Sequence, residues 1–374
     1  MERLRVVTVF LARGDRLLGL LRSSAVATYR GRWAGVSGAI EAGENPLDAV
    51  FREVFEETGV APSDVIVIRA GLPVDVDDAT GKRPRCFRVY PFLLALRDGV
   101  AIRLNPEHVA MRWVTSDEVI LMTASQETVP ELDEALARVW DPPSALPPQY
   151  RGEARAIFED RTSGATELAR RAAALVSAGA PPERVAALRP TMAAVVNAAR
   201  AAAQPGRDVA SEIASSTLRA AAVARAWLKA GMRVGTFSRS STVLAALEGA
   251  PRVTLLVGVS LPGGEGAETA RAASALGHEV VLLSDEELAD RVERHEVDLV
   301  LVGADAVLRH GGVINKVGTR ALAEAAARAE PPVDVVVACD EWKQWDDVHP
   351  PPLEELFEAV PGRLIVRYSS NMKG

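Results

Sequence analysis

Between Gly38 and Val60 the chain reads GAIEAGENPLDAVFREVFEETGV, a stretch holding five glutamates and one aspartate. At about 100° per residue, Glu53, Glu56 and Glu57 fall on one side of a helix, with Glu53 and Glu57 nearly above one another. Carboxylates that close repel unless something positive lies between them. A hard divalent cation, Mg²⁺ or Mn²⁺, resolves the repulsion through a few carboxylate oxygens and leaves positions for water and substrate phosphates. The bland alternative is a solvated acidic helix face. With a cation there, cleaving a pyrophosphate needs no protein nucleophile, only an activated water and a carboxylate that takes its proton. The face is expected to be exposed, so that replacing Glu57 changes catalysis and not stability.

The order Gly38, five residues, Glu44, seven residues, Arg52-Glu53-Val54, one residue, Glu56-Glu57, one residue, Gly59-Val60 resembles the Nudix box without a departure. The preceding RGRWAGVSGAIEAGE is similar to the strand and loop before the Nudix helix, and the resemblance covers roughly residues 1 to 140. It implies an α/β/α sandwich that hydrolyses a nucleoside diphosphate linked to another moiety. It also implies that Glu53, Glu56 and Glu57 are metal ligands, with the Gly38 carbonyl as a further one, and that Arg52 orients a neighbouring carboxylate. Glu44 is either a salt-bridge partner of Arg52 or a metal contact. The proton acceptor in this family comes from the helix or from a distant loop, where Glu107 and Glu127 are the candidates. Trp33 either stacks on a base or belongs to the core. The run VDDATGKRPR, Val76 to Arg85, has the length and basic end of a substrate-contacting loop, or is a solvated turn. ADP-ribose is a sensible first substrate, because its products are AMP and a pentose phosphate.

A second constellation lies in LVGADAVLRHGGVINKVGTRALA, Leu301 to Ala323, read as the end of a strand and the start of a helix. Together with LRPTMAAVVN, GTFSRSSTVL, GGEG and ACDEWKQW it resembles the regulatory subunits of translation initiation factor 2B, methylthioribose-1-phosphate isomerase and ribose-1,5-bisphosphate isomerase, over about residues 151 to 374. The resemblance implies a catalytic position for Asp305, substrate contacts for Asn315, Lys316 and Lys343, and a place for Arg189 in an Arg-Pro-Thr segment. Arg239 joins the same expected pocket. The isomerases carry a cysteine where this chain has Ser238, and a serine hydroxyl does not readily serve as acid or base near neutral pH. Their phosphate-binding Arg-Gly-Ala has its counterpart in DRTSGA, Asp160 to Ala165, and their Arg-Pro loop reads SLPGG, with Leu261 in place of arginine. The expectation is a domain that binds a sugar phosphate or nucleotide without converting it. The alternatives are a sugar-phosphate isomerase, a non-catalytic regulatory protein of the initiation factor 2B type, and, for Lys316, a self-capping helix turn with its amine in solvent.

These residues must be held by two domains, the natural reading of 374 residues with 48% hydrophobic and 25% charged side chains. Residues 1–140 alternate β-rich runs with turns around one clear helix, Pro46 to Thr58, and a further helix is expected from Glu127 to Val139. DPPSALPP, residues 141–148, reads as a proline-rich linker. From 149 to 230 the chain is alanine-rich and helical in period. From 231 to 374 continuous apolar strands alternate with helices, which predicts a Rossmann-like parallel sheet with ligands at the carboxyl ends of its strands. The net charge of −7 argues against nonspecific nucleic-acid binding. Two cysteines far apart, Cys86 and Cys339, support neither a disulfide framework nor a cysteine zinc site. With neither a signal-like nor a membrane-spanning segment at the start, a cytoplasmic protein is expected. The apolar end PGRLIVRYSS, Pro361 to Ser370, suggests a homo-oligomer, dimer or higher, through the carboxyl-terminal domain.

Overall fold

A computed structural model describes residues 2–78, 85–160, 163–309, 311–346 and 357–369. The chain divides into two compact units, Met1–Pro148 and Gln149–Gly374.

The first unit is a mixed sheet between helices. Its strands are β1 (Glu2–Arg13), β2 (Arg16–Arg22), β3 (Trp33–Ala34), β4 (Val36–Ala39), β5 (Val65–Ala70), β6 (Val74–Asp78), β7 (Arg85–Leu96) and β8 (His108–Val114). Long β1 and β7 run parallel at the centre, and β4 pairs antiparallel with β1 from Val6↔Ala39 to Val9↔Val36. Strand alternation sorts β1 between two cores. Val7, Val9 and Leu11 face helix α1 (Pro46–Thr58) through its Ala49, Val50 and Val54. Phe10 and Ala12 face α2 (Ser116–Ala124) and α3 (Leu132–Ala137) with Val119, Met122 and Leu136. The arrangement is an α/β/α sandwich.

Local chemistry sets the ends of α1. Asn45 Oδ1 accepts from Leu47 N at 3.0 Å, Pro46 stands in the first turn, and Gly59 closes the helix at φ 68° with its N–H on Phe55 O. The helix expected from Glu127 to Val139 is shorter. Thr128 instead bridges to Trp33 as extended chain, and helix starts only at Leu132. Helix α2, absent from the sequence reading, opens on a capping box, with Thr115 and Glu118 bonded reciprocally. Residues 141–148 form 3₁₀ turns at Pro142–Ala145 and from Pro148, with Leu146 buried.

The second unit opens with five helices: α4 (Arg151–Glu159), α5 (Ala165–Ser177), α6 (Pro182–Ala186), α7 (Ala193–Ala202) and α8 (Val209–Arg225). A doubly wound region follows, with β9 (Arg233–Thr236), α9 (Ser241–Leu247), β10 (Thr254–Gly258), α10 (Gly266–Ala275), β11 (Glu279–Leu283), α11 (Asp285–Glu293) and β12 (Leu299–Val302). After it come β13 (Ala306–Leu308), β14 (Val313–Lys316), α12 (Thr319–Arg328), β15 (Val335–Val337), β16 (Gln344–Trp345), β17 (Phe357–Val360) and β18 (Arg367–Tyr368). The large sheet runs β11-β10-β9-β12-β15-β18, all parallel. In chain order this is 3-2-1-4-5-6, so the order reverses between β9 and β12 and opens a crevice at their carboxyl ends.

One sequence expectation is corrected here. Leu301 to Ala323 does not pass directly from strand to helix: β13 and β14 intervene and belong to a small sheet, β16-β13-β14-β17. Short strands separated by a tight turn lack the length that makes a buried parallel strand legible. Of the apolar end, Leu364 and Tyr368 pack into the core and β18 extends the large sheet, while Val366 stays exposed. Among the described residues no helix is long and apolar enough to cross a membrane.

Candidate functional site

In the first unit the carboxylates converge where α1 crosses the end of β4. Glu53 and Glu57 are buried, at 9% and 2% exposure, which corrects the expected exposed face. Helical spacing alone assigns them to one side of α1, whereas β4 and β8 close over that side. Glu53 lies against the backbone of Gly38, where a Cβ would stand 1.9 Å from its carboxylate. Arg52 clamps the group, donating to Glu53 Oε1 at 2.5 Å, to Glu44 Oε1 at 2.9 Å and to Ala39 O at 2.8 Å. Glu44 is therefore engaged by Arg52 in this structure. Glu56 is not brought into the buried pair. It stands on the exposed side, 3.5 Å from Arg52.

Glu57 is the most perturbed member. Its Oε1 accepts from Ser37 N at 3.3 Å, while its Oε2 is buried without a hydrogen-bond partner, 3.6 Å from His108 Nε2, which also lacks one. Burial first, then the negative charges of Glu53 and Glu107, push the Glu57 carboxyl up to about 8. Burial likewise raises Glu53. His108, buried and facing the charge of Arg22, is pushed down to about 4, and its Nδ1 lies 3.3 Å from Asn105 Oδ1.

This donor set fits a hard divalent cation: buried, mutually repelling carboxylate oxygens, one without a partner, are what such an ion relieves. No three His, Cys, Asp or Glu side chains among the described residues are grouped as a ready-made cage. An ion that retains waters and takes substrate phosphates as ligands requires fewer.

Beside the pair opens a cavity of about 460 Å³ lined by Gly38, Arg22, Arg85, Tyr29, Phe87 and Glu107 among others. Tyr29 and Phe87 meet with ring centroids 6.4 Å apart. Burial and the neighbouring Asp78 carboxylate push the Tyr29 hydroxyl up to about 12, so it is neutral. Glu107 is exposed at the cavity wall, whereas Glu127 does not line it and offers its backbone to Trp33. Trp33 also lies outside the cavity, under the guanidinium of Arg112 at 4.4 Å. Of the basic run Val76 to Arg85, both ends line the cavity and residues 79–84 lie outside the described residues. The sequence reading missed Arg22, Tyr29, Phe87 and His108. Only the adjacency of His108 to Glu107 offered a signal.

In the second unit one small cavity, about 70 Å³, sits at the crevice between β9 and β12. It brings together Ser238 and Arg239 from the turn after β9, Asp305 after β12 and Asn315 and Lys316 at the end of β14. Arg189 and Lys343 complete the set singled out in the sequence. Gly303 permits the two strand ends to approach, since a Cβ there would meet Ser240 Oγ at 2.5 Å. Ser238 adopts φ 62°, held by its N–H on Ser260 Oγ at 2.7 Å and its carbonyl under Thr269 Oγ1. Arg239 leans outward to Glu268 at 3.3 Å. Lys316 is buried, not solvated, because Glu265 pairs with it at 2.8 Å. Burial raises the Asp305 carboxyl, opposed by Lys343, Arg189 and Lys316 in that order. Of DRTSGA, Ser163 to Ala165 line the cavity, and Arg161 and Thr162 lie outside the described residues. Glu265, in the middle of GGEG, was not foreseen as part of the site.

A sequence profile of the NUDIX domain matches residues 1–153, and one of the initiation factor 2 subunit family matches residues 157–347. The first unit is similar to the asymmetrical bis(5'-nucleosyl)-tetraphosphatase of Rattus norvegicus, 34% identical over 103 residues, 27% of this chain and 68% of that protein. The second is similar to the ribose 1,5-bisphosphate isomerase of Archaeoglobus fulgidus, 36% identical over 120 residues, 31% of this chain but only 37% of that protein's length. The solved structure of the Pyrococcus horikoshii translation initiation factor eIF-2B superposes with a TM-score of 0.52 over 59% of this chain and 94% of that one, and at 23% identity it speaks to the fold alone. The chain belongs to the Nudix family through its first unit, and to the initiation factor 2 subunit family through its second.

Proposed function

We propose that the first unit, a Nudix pyrophosphohydrolase, hydrolyses a nucleoside polyphosphate at the cavity beside Glu53 and Glu57. The observation that carries this reading is the buried, unpartnered Glu57 Oε2 next to the Arg52-clamped Glu53. Glu53 and Glu57 would hold a divalent cation, Mg²⁺ or Mn²⁺, together with the Gly38 carbonyl and Glu56. Bound there, the ion supplies charge stabilisation at the phosphoryl oxygens and an activated water. Arg22 and Arg85 meet the remaining phosphate charge, and the Tyr29–Phe87 edge receives a base. Glu107, exposed at the wall, takes the proton from the attacking water.

The relative with 68% of its length matched is named for a bis(5'-nucleosyl)-tetraphosphate, which makes dinucleoside polyphosphates the first compounds to try. ADP-ribose is the second reading, favoured by the cation-lined small cavity of the second unit, whose chemistry suits a pentose phosphate product. That cavity binds a phosphorylated small molecule, and with Ser238 in place of a thiol it leaves the ligand unconverted. Incubating the full chain with Mg²⁺ or Mn²⁺ and a panel of both compound classes, with product masses read out, tests the proposal. Turnover should fall by about a hundredfold or more in Glu57→Gln and by a smaller factor in Glu107→Gln. Turnover of no compound by the wild type, or full turnover in Glu57→Gln, refutes it.

A further inference from the structure

His108 is held in one tautomer. Asn105 Oδ1 accepts from the backbone N–H of Glu107 at 3.1 Å, which fixes that atom as the amide oxygen, and it lies 3.3 Å from His108 Nδ1. An acceptor there calls for a donor, so Nδ1 carries the ring proton and Nε2 presents a bare lone pair. Burial and the Arg22 charge keep the ring neutral. Nε2 stands 3.6 Å from Glu57 Oε2, a second acceptor, and neither atom has a hydrogen-bond partner. The Ser37 N–H already takes Oε1, so Oε2 is the oxygen this carboxylate has to offer. Both side chains are almost wholly withdrawn from solvent, at 0% and 3% exposure. Two bare acceptors sealed together are unfavourable unless something positive joins them.

We propose that His108 Nε2 is a nitrogen ligand of the cation, beside Glu57 Oε2, so that the site prefers a first-row transition ion such as Mn²⁺ to Mg²⁺. The inference rests on the reading of the buried glutamates as cation-holding and fixes which ion they take. At bond lengths of about 2.1 Å, neighbouring ligand atoms of one ion stand roughly 3 to 3.6 Å apart, which suits the observed separation. Asn105 stands behind the ring, where the second nitrogen of a ligating histidine donates to an oxygen that orients it and raises its basicity. The same residue is tied to α1, since Asn105 N donates to Glu57 O at 3.2 Å. Mg²⁺ favours oxygen ligands and its own waters, whereas imidazole suits the first-row transition ions.

Pulsed electron paramagnetic resonance on the full chain loaded with one equivalent of Mn²⁺ reads the nitrogen directly, and calorimetry with Mn²⁺ and Mg²⁺ reads the preference. The wild type should show modulation from a bound imidazole nitrogen that changes when its histidines are isotope-labelled. His108→Gln puts an amide oxygen in its place, and His108→Asn keeps a group facing Asn105 but leaves nothing at Nε2. Both should lose the modulation and lower the Mn²⁺-to-Mg²⁺ affinity ratio by about tenfold or more, with melting curves in chelator showing that they fold. Mn²⁺ that binds the wild type, is lost in Glu57→Gln and carries no nitrogen modulation overturns the role of His108 and leaves the glutamate site standing. Modulation that persists in a folded His108 variant overturns it as well. A wild type that binds no Mn²⁺ overturns the glutamate site itself, and this inference with it.

Discussion

Gly38→Ala isolates the geometry of the carboxylate pair without touching a charged group. The new Cβ would stand 1.9 Å from both Cδ and Oε1 of Glu53, while such a carbon essentially never comes within 3.0 Å of another heavy atom. The carboxylate therefore has to withdraw by about 1 Å, or β4 has to shift from its pairing of Gly38 with Val7. Either movement disturbs the 2.5 Å bond from Arg52, and a charge-assisted bond of that kind contributes about 1.5–3 kcal/mol. Part of this returns through Glu44, which holds Arg52 by a second contact. A stability loss of about 1–2 kcal/mol is expected. The effect on rate should be larger in proportion, because a displacement of about 1 Å at a reacting centre costs about a hundredfold. Gly152→Ala, where a Cβ meets nothing within 4 Å, is the control. The assay is kcat/KM on whichever nucleoside polyphosphate is turned over, with melting curves taken in chelator and in excess Mn²⁺. A Gly38→Ala protein within threefold of wild type in kcat/KM would show that Glu53 need not occupy its observed seat.

Glu57 faces Glu53, Glu107, His108, Arg22 and the Ser37 N–H, and its carboxyl stands at about 8 against an ordinary 4.5. The folded state thus holds this proton more tightly than the unfolded chain, so the cost is absent below pH 4.5, grows as pH rises through the window and is complete above about 8. In chelator the contribution reaches about 3 kcal/mol at pH 7, and Glu57→Gln should flatten this part of the pH–stability curve. A variant with the same pH slope as wild type would contradict the assignment. For assembly, light scattering on the full chain should report a dimer or a higher even-numbered oligomer, with Leu218 and Val223 exposed on α8 as apolar surface in the second unit. A monomer across a wide concentration range rejects it.

Much of the molecule is legible in local patterns. The boundaries of α1 follow from Asn45, Pro46 and Gly59, whose effects act within one turn of the chain. The parallel strands of the second unit show as continuous apolar runs because both faces of each are covered. Helix α2 was missed and α3 overextended because neither has a long apolar period, and a capping box with a bridge from Thr128 to Trp33 decides where they start. The small sheet of the second unit was missed for a related reason, since strands as short as Ala306–Leu308 carry too few residues for a period to show.

Local sequence carries the identity and spacing of the chemical groups: a glutamate-rich helix flanked by Gly38, and a set from Arg189 to Lys343 with a serine in place of a thiol. Spacing assigns side chains to a face, but burial depends on what crosses that face, and this is a matter of distant chain. Glu57 lies 51 residues from His108, and only the pairing of β8 with β2 and of β4 with β1 brings their unpartnered atoms to 3.6 Å. Likewise Glu265 meets Lys316 across 51 residues of sequence because the strand order reverses between β9 and β12. Which carboxylates are desolvated, which lysine is paired and which oxygens are left to a ligand follow from long-range packing, because those quantities depend on distances that no local pattern encodes.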